Sequence, residues 1–215
     1  MKKIFFIIFS MFIFTISFSD TTYKVTTDKK IKLSSEDIKK NNLQIENQLA
    51  AIFNPQTYDA AKIKKLVLDI DDSTTKEEEI LVNSMSSLIK SYLSNSKYKI
   101  EEISYTDAQT AKVTISTTSP NVMEYLDANE QALEKQAEKN FKSLSGKTVE
   151  QVDKDTANQD KYAPVLMASF VSAISDSIGS IKNSSTQTST LEMKKVNGTW
   201  VSDDKLINDL LDFKF

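Results

Sequence analysis

The residues of this chain that could do chemistry are carboxylates, lysines, hydroxyl groups and tyrosines. Asp69-Ile70-Asp71-Asp72-Ser73 has acids at the spacing of a calcium loop. An EF-hand loop also needs glycine at its sixth position and a bidentate acid at its twelfth, where this chain has Thr74 and Ile80. We therefore expect these acids to end one helix and cap the next, and we predict no metal-binding residues.

Three aromatic side chains are candidates for ligand binding: Trp200, Tyr105 and Tyr125. Rings with one polar tip suit pockets that combine apolar contact with a few oriented hydrogen bonds. Packing in the core is the alternative interpretation of the same residues. A tyrosine with an acidic partner could also move protons on a carbonyl substrate, but the sequence places no lone carboxylate among the apolar residues of a strand. We predict no catalytic residues and no cofactor.

Several chemistries are excluded by residue types that the sequence lacks. It contains no cysteine and no histidine, and its 27 basic residues are all lysines. Disulfides, thiol catalysis, histidine-based triads and His/Cys zinc sites are therefore impossible. Without arginine, the bidentate clamps that hold carboxylate or phosphate groups are also missing. Because the chain has no disulfides, its stability must come from its hydrophobic core.

The first nineteen residues have the pattern of a secretory signal peptide. Lys2 and Lys3 precede the apolar run 4–16, and Ser17 and Ser19 are small residues before a cut at Asp20. Removal of the two lysines takes the net charge from −3 to −5. We expect an exported protein that is periplasmic, surface-bound or secreted, is not a lipoprotein, and binds no nucleic acid. An uncleaved anchor is the alternative for this segment.

Helical periodicity dominates the rest of the chain. Apolar stripes predict helices over 35–53, 56–70, 77–93, 121–144 and 164–181, and Ser202 to Asp204 can cap a closing helix. The segment 147–161 is weakly patterned and could be a loop or a short helix. The helix 164–181 is the most apolar of these, but its length and Asp176 favour a buried helix, so we predict no membrane span in the mature chain.

Two hairpins supply the predicted strands. Residues 97–105 and 111–118 alternate apolar and polar side chains, with a slip at Glu101-Glu102 that indicates a bulge. Asn197-Gly198 lies between two further strands and favours a type I′ turn, which places Lys195 opposite Trp200 and Met193 opposite Ser202. We therefore predict an α+β fold with helices on a small antiparallel sheet of about four strands. Residues 20–33 are a tether or edge strand, and 34–215 form one domain with a helical insertion at about 121–181.

The C-terminal hairpin resembles a known family. Its sequence Leu191-Glu192-Met193-Lys194-Lys195-Val196-Asn197-Gly198-Thr199-Trp200-Val201, together with the order of helices, hairpin, late strand and closing helix, is similar to the nuclear transport factor 2-like and cystatin-like cone domains. The resemblance implies a curved sheet wrapped around a helix, with a cavity used for small ligands, catalysis or dimerisation. It does not imply one function.

Three functions remain open on the sequence. The first is an exported, non-enzymatic binding module for an unknown protein or small molecule. The second is a histidine-free acid/base enzyme that uses a cavity carboxylate with a tyrosine. The third is a helical envelope or surface protein whose apolar stripes contact a partner or a second copy, so that a homo-oligomer is possible.

Overall fold

The computed structural model of the chain describes residues 23–28, 30–67, 74–155 and 159–202 as an α+β protein. Within these ranges there are six helices: α1 Ser35–Ile52, α2 Ala60–Val67, α3 Lys76–Ser94, α4 Val122–Ser145, α5 Val149–Asp153 and α6 Gln159–Ile178. The strands are β1 Lys24–Thr27, β2 Lys97–Tyr105, β3 Thr110–Pro120, β4 Ser184–Val196 and β5 Thr199–Ser202. The predicted signal peptide, the calcium-like loop and the closing helix lie outside the described residues.

The strands form one open sheet in the order β1-β2-β3-β4-β5. The prediction of about four antiparallel strands is wrong in number and in type, because β1 adds a fifth strand parallel to β2. This strand has four residues, and its partner lies more than seventy residues further along the chain, so no local turn signal marks the pairing. The coarser prediction of an α+β fold is confirmed.

Both predicted hairpins are present. In the second one, Lys195 pairs with Trp200 and Met193 pairs with Ser202, as the two-residue turn requires. Asn197 and Gly198 both have positive φ, at 50° and 82°, which is the backbone of a type I′ turn. In the first hairpin the register shifts between Ile100 and Glu102, where the slip in the pattern indicated a bulge.

The described residues divide into two compact units. The sheet unit comprises α1, β2, most of β3 and β4, β5 and β1, over residues 23–54, 97–118 and 186–202. In this unit α1 lies across the sheet and turns Ile45, Leu49 and Ile52 inward, all at most 1% exposed. These residues recur at helical spacing, so one face of the helix buries them together.

The helical unit comprises residues 55–96 and 119–185 and contains α2 to α6. Helix α6 packs against α3 and against α4, and small residues line its contact with α3. The Ser172 hydroxyl lies 3.0 Å from that of Ser84, and the Ser91 hydroxyl donates to the Ser175 carbonyl at 3.2 Å. A second contact, with α4, buries Ala173 against Leu133.

Three of the predicted helical segments differ from the structure. The helix predicted over 164–181 is α6, which begins at Gln159 and ends at Ile178. The helix predicted over 56–70 is interrupted, because Pro55–Thr57 form a 3-10 turn and α2 begins only at Ala60. The Asp59 carboxylate accepts from the backbone N–H of Lys62 at 2.8 Å and so caps the start of α2. For the segment 147–161 the sequence left a loop and a short helix as alternatives. The structure has the short helix α5 there, and Thr148 caps its N-terminus in a capping box.

Candidate functional site

Two of the three predicted binding residues meet in the sheet unit. The rings of Tyr105 and Trp200 are in edge contact, with centroids 5.8 Å apart, and both side chains are almost fully buried. Strands β2 and β5 bring them to the same face of the sheet. The Tyr105 hydroxyl donates to the Asn42 side-chain carbonyl of α1 at 2.7 Å, so the phenol holds the helix to the sheet.

Lys195 lies beside this aromatic pair. Its ammonium group is 5.9 Å from the centroid of the Trp200 ring and donates to the Oδ1 of Asn41 at 3.0 Å. The stem of the lysine runs along the inward face of β4, as the period-2 pattern of the hairpin predicts. Among the described residues, two buried polar atoms have no hydrogen-bond partner, the indole N–H of Trp200 and the Oε1 of Gln44.

A carboxylate that the sequence analysis missed is surrounded by tyrosines. Glu46 of α1 accepts a hydrogen bond from the Tyr23 hydroxyl. Burial, the hydrogen bond to Glu46 and the negative charge of Glu46 together raise the pKa of Tyr23. Burial followed by the charge of Glu46 raises the pKa of Tyr98 to about 12 and that of Tyr105 further still. These phenols therefore keep their protons at neutral pH.

A sequence signal for this cluster existed. Asn41, Asn42 and Glu46 interrupt the apolar stripe of α1 at helical spacing, although the stripe faces a sheet. Polar groups placed toward a core are expected to find partners there. The identity of those partners, Lys195 and Tyr105 among them, depends on strands that follow much later in the sequence.

Tyr125, the third predicted binding residue, belongs to the helical unit. It is half-buried, and its ring packs beside the cluster of Leu133, Ala137 and Ala173. It also lines an open groove of about 250 Å³, which we call the Tyr125 groove. Besides Tyr125, the polar residues of this groove are Asn121, Glu124, Asn129, Ser180, Lys182 and Asn183.

The side chains of the Tyr125 groove are connected to one another. The amide groups of Asn121 and Asn183 donate to the two carboxylate oxygens of Glu124 at 2.7 and 2.8 Å. The backbone N–H of Asn121 also donates to the backbone carbonyl of Asn183 at 3.0 Å. These bonds join the N-terminal end of α4 to the segment after α6, so the carboxylate is held by both walls of the groove.

A kink in α4 forms the far side of the groove. Asn129 leaves the helical region with φ −128° and ψ 19°, and its side-chain amide donates to the backbone carbonyl of Tyr125 at 2.9 Å. This bond satisfies a carbonyl that a regular helix would bond to the backbone at residue 129. The apolar stripe over 121–144 predicts one continuous helix and gives no sign of the kink.

The described residues contain no cluster of three or more acids that could hold a metal ion. The acids at the start of α3 have local roles, since Glu78 completes a capping box with Thr75 and Glu77 lies 3.3 Å from the ammonium of Lys161. Among the helices that the structure describes, none combines the length and hydropathy needed to cross a bilayer.

Comparison with known proteins gives no match to a family model, to a curated protein or to a solved structure. The resemblance of the C-terminal hairpin to the cone domains therefore stays a prediction.

Proposed function

We propose that the protein is an exported binding protein without catalytic activity, and that the Tyr125 groove is its ligand site. The observation that carries the proposal is the arrangement of the groove, in which one aromatic ring lies beside a carboxylate fixed by two asparagine amides. Small-molecule sites combine aromatic surface with well-oriented polar groups, and the groove offers both. On this proposal, Trp200 and Tyr105 pack together in the core of the sheet unit and do not bind the ligand.

The sheet unit supports the non-enzymatic part of the proposal. The Tyr23 hydroxyl of this unit already donates a hydrogen bond to the Glu46 carboxylate. A general acid works best when its pKa lies near the working pH, whereas the pKa of Tyr23 is raised well above its usual value. The alternative of a histidine-free enzyme requires a carboxylate with a tyrosine, such as this pair, to transfer protons.

Turnover assays separate these two functions. We expect the purified protein to convert a panel of ester and carbonyl substrates no faster than buffer alone. Turnover that disappears in Tyr23→Phe and Glu46→Gln, while the exposed Glu134→Gln variant keeps it, would establish the enzyme alternative and refute the proposal.

A second candidate function, contact with a second copy of the chain, is favoured by one face of α6. Leu166, Met167 and Phe170 are 47%, 53% and 40% exposed, and no charged residue occurs between Lys161 and Asp176. An apolar helix face without charge is self-complementary, because two copies can bury it against each other without separating or repelling charges.

Light scattering over a range of concentrations tests this candidate. If the face joins two copies, Phe170→Glu should convert a dimer to a monomer, because it would bury two unpaired carboxylates. The matched control is Gln131→Glu, which adds the same charge at an exposed position of α4. A wild-type protein that stays monomeric at all concentrations would remove this candidate.

A further inference from the structure

The Tyr125 groove has a chemistry that selects among ligand classes. The side-chain amides of Asn121 and Asn183 donate to Glu124 and also carry carbonyl acceptors, of which that of Asn121 already accepts from the backbone N–H of Glu124 at 3.4 Å. The carboxylate of Glu124 is an acceptor only. Each carboxylate oxygen accepts one amide hydrogen bond and has a second lone pair to offer. The groove thus presents donors and acceptors side by side, next to an aromatic ring.

Metal ions and phosphate groups fit this chemistry poorly. A calcium site takes six to eight oxygen ligands, usually from several carboxylates, whereas Glu124 is the one carboxylate of the groove and Lys182 adds a positive charge. A phosphate group would meet the negative charge of Glu124, and Lys182 alone would attract it, because the chain has no arginine for a bidentate contact.

Hydroxyl groups fit it well. A hydroxyl can donate to the Glu124 carboxylate and at the same time accept from an amide, so neighbouring hydroxyls on one ring satisfy both kinds of group. The face of the Tyr125 ring suits the C–H surface of such a ring, and its hydroxyl provides a further polar contact. The hydrogen bonds from Asn121 and Asn183 hold the Glu124 carboxylate in place before a ligand binds, and this lowers the entropic cost of binding.

Size narrows the class further. Sites for drug-sized ligands enclose roughly 300–1,000 Å³. At about 250 Å³, and open to solvent, the groove accommodates one ring with its substituents, and a longer ligand could continue into solvent.

We infer that the Tyr125 groove binds a single neutral sugar ring, either as a free monosaccharide or as one unit of a glycan. This inference rests on the proposed binding function and names its ligand class. Glu124, Asn121 and Asn183 bind the hydroxyl groups, and Tyr125 packs against the ring.

An NMR titration tests the inference on the purified, isotope-labelled protein. The probes are the methyl glycosides of glucose, galactose and N-acetylglucosamine, added to millimolar concentrations. We expect chemical-shift changes for at least one glycoside that are confined to residues 121–129 and 180–183. Titration of glucose 6-phosphate and of calcium chloride should give no such changes, and a response to either one instead of the neutral sugars would overturn the inference.

Variants locate the interaction and control for folding. Glu124→Gln removes a charged acceptor and should weaken binding by about tenfold or more, while the matched Glu134→Gln on the exposed side of α4 should bind like the wild type. Tyr125→Ala should abolish binding. Because that variant could also disturb the packing beside Leu133, Tyr125→Phe serves as the second variant, which keeps the ring and should retain most of the affinity.

The outcomes separate this inference from the proposed function. No shift changes with any neutral glycoside, or changes that survive in Glu124→Gln and Tyr125→Ala, would refute sugar binding in the groove. Such a result would leave the non-enzymatic assignment standing, since that assignment fails on turnover in the substrate panel. A glycoside that binds and is also hydrolysed would refute the non-enzymatic assignment and uphold the ligand class.

Discussion

At the scale of single residues, the sheet unit is organised by polar side chains that point into its core. Asn41 is only 2% exposed, and its carbonyl accepts the hydrogen bond of the Lys195 ammonium. The two residues are 154 positions apart in the sequence, so the bond connects the first helix to the last hairpin. A buried acceptor beside an ammonium group stabilises the folded state mainly because leaving either group unpaired is costly.

We expect Asn41→Ala to lower the free energy of unfolding by about 1–3 kcal/mol, because it leaves the Lys195 ammonium without this acceptor. Urea unfolding followed by Trp200 fluorescence measures the change. The matched control is Asn47→Ala, at an exposed position of the same helix, which should change stability by less than about 0.5 kcal/mol. Equal effects of the two substitutions would contradict the role given to the Asn41–Lys195 bond.

The tyrosines around Glu46 predict a loss of stability in alkali. Burial raises the pKa of Tyr98 to about 12, whereas an unfolded tyrosine ionises near 10. Between about pH 10 and pH 12 the unfolded chain releases a proton that the folded chain keeps, so stability falls as pH rises through this window. Tyr98→Phe should show a shallower decline than the wild type in urea unfolding at stepped pH. If the stability of the two proteins falls equally with pH, the burial of Tyr98 does not contribute to the loss of stability in alkali.

At the scale of elements, the turn of the C-terminal hairpin fixes which side chains face the core. Its two-residue length places Trp200 opposite Lys195, and a slip by one residue would turn Leu191, Met193 and Trp200 toward the other face. The turn needs glycine at position 198 because of the backbone conformation and not for lack of space, since a Cβ added there would meet no atom within 4 Å. The cost of replacing this glycine is therefore the cost of the left-handed backbone.

Gly198→Ala should destabilise the protein by about 1–2 kcal/mol, because alanine is strained at the φ of 82° that the turn requires. The matched control is Gly179→Ala after α6, where the backbone is not left-handed and the added methyl also meets open space. That variant should be neutral or slightly stabilising, since alanine reduces the entropy of the unfolded chain. Thermal unfolding of both variants by circular dichroism compares them, and a neutral Gly198→Ala would contradict the assigned turn.

At the scale of the whole molecule, each compact unit is assembled from segments that are not adjacent in the sequence. Among the described residues, the sheet unit is formed by three segments of the chain and the helical unit by two. The pattern of the sequence predicts one domain from residue 34 onward, with the helices of 121–181 as an insertion. In the structure the helical unit also includes α2 and α3, which precede the first hairpin.

The proposed export concerns the whole chain and predicts a defined mature N-terminus. We expect the protein released from an expressing bacterium to begin at Asp20, because small residues precede this position. Intact-mass measurement of the exported protein tests the prediction. Ser19→Tyr should block cleavage, whereas Thr22→Tyr, beyond the cut, should be processed normally. A wild-type protein found only in the cytoplasm with its leader intact would refute export.

The sequence by itself determined the features that depend on neighbouring residues. Periodicity located α1, α3 and α4 within a few residues, the Asn-Gly turn set the register of the last hairpin, and the slip at Glu101-Glu102 located the bulge. Residue types that the chain lacks excluded whole chemistries. These signals are readable because turns, caps and the alternation of side chains act over a few residues.

Only the tertiary structure decided which distant side chains meet. It paired β1 with β2, surrounded Glu46 with tyrosines from other segments, and joined Asn121 to Asn183 around Glu124. It also placed Tyr125 in the helical unit, while Trp200 and Tyr105 share the core of the sheet unit. The physical reason is that such contacts are set by how whole elements pack, and a hydrogen bond between residues far apart in the chain leaves no local pattern in the sequence.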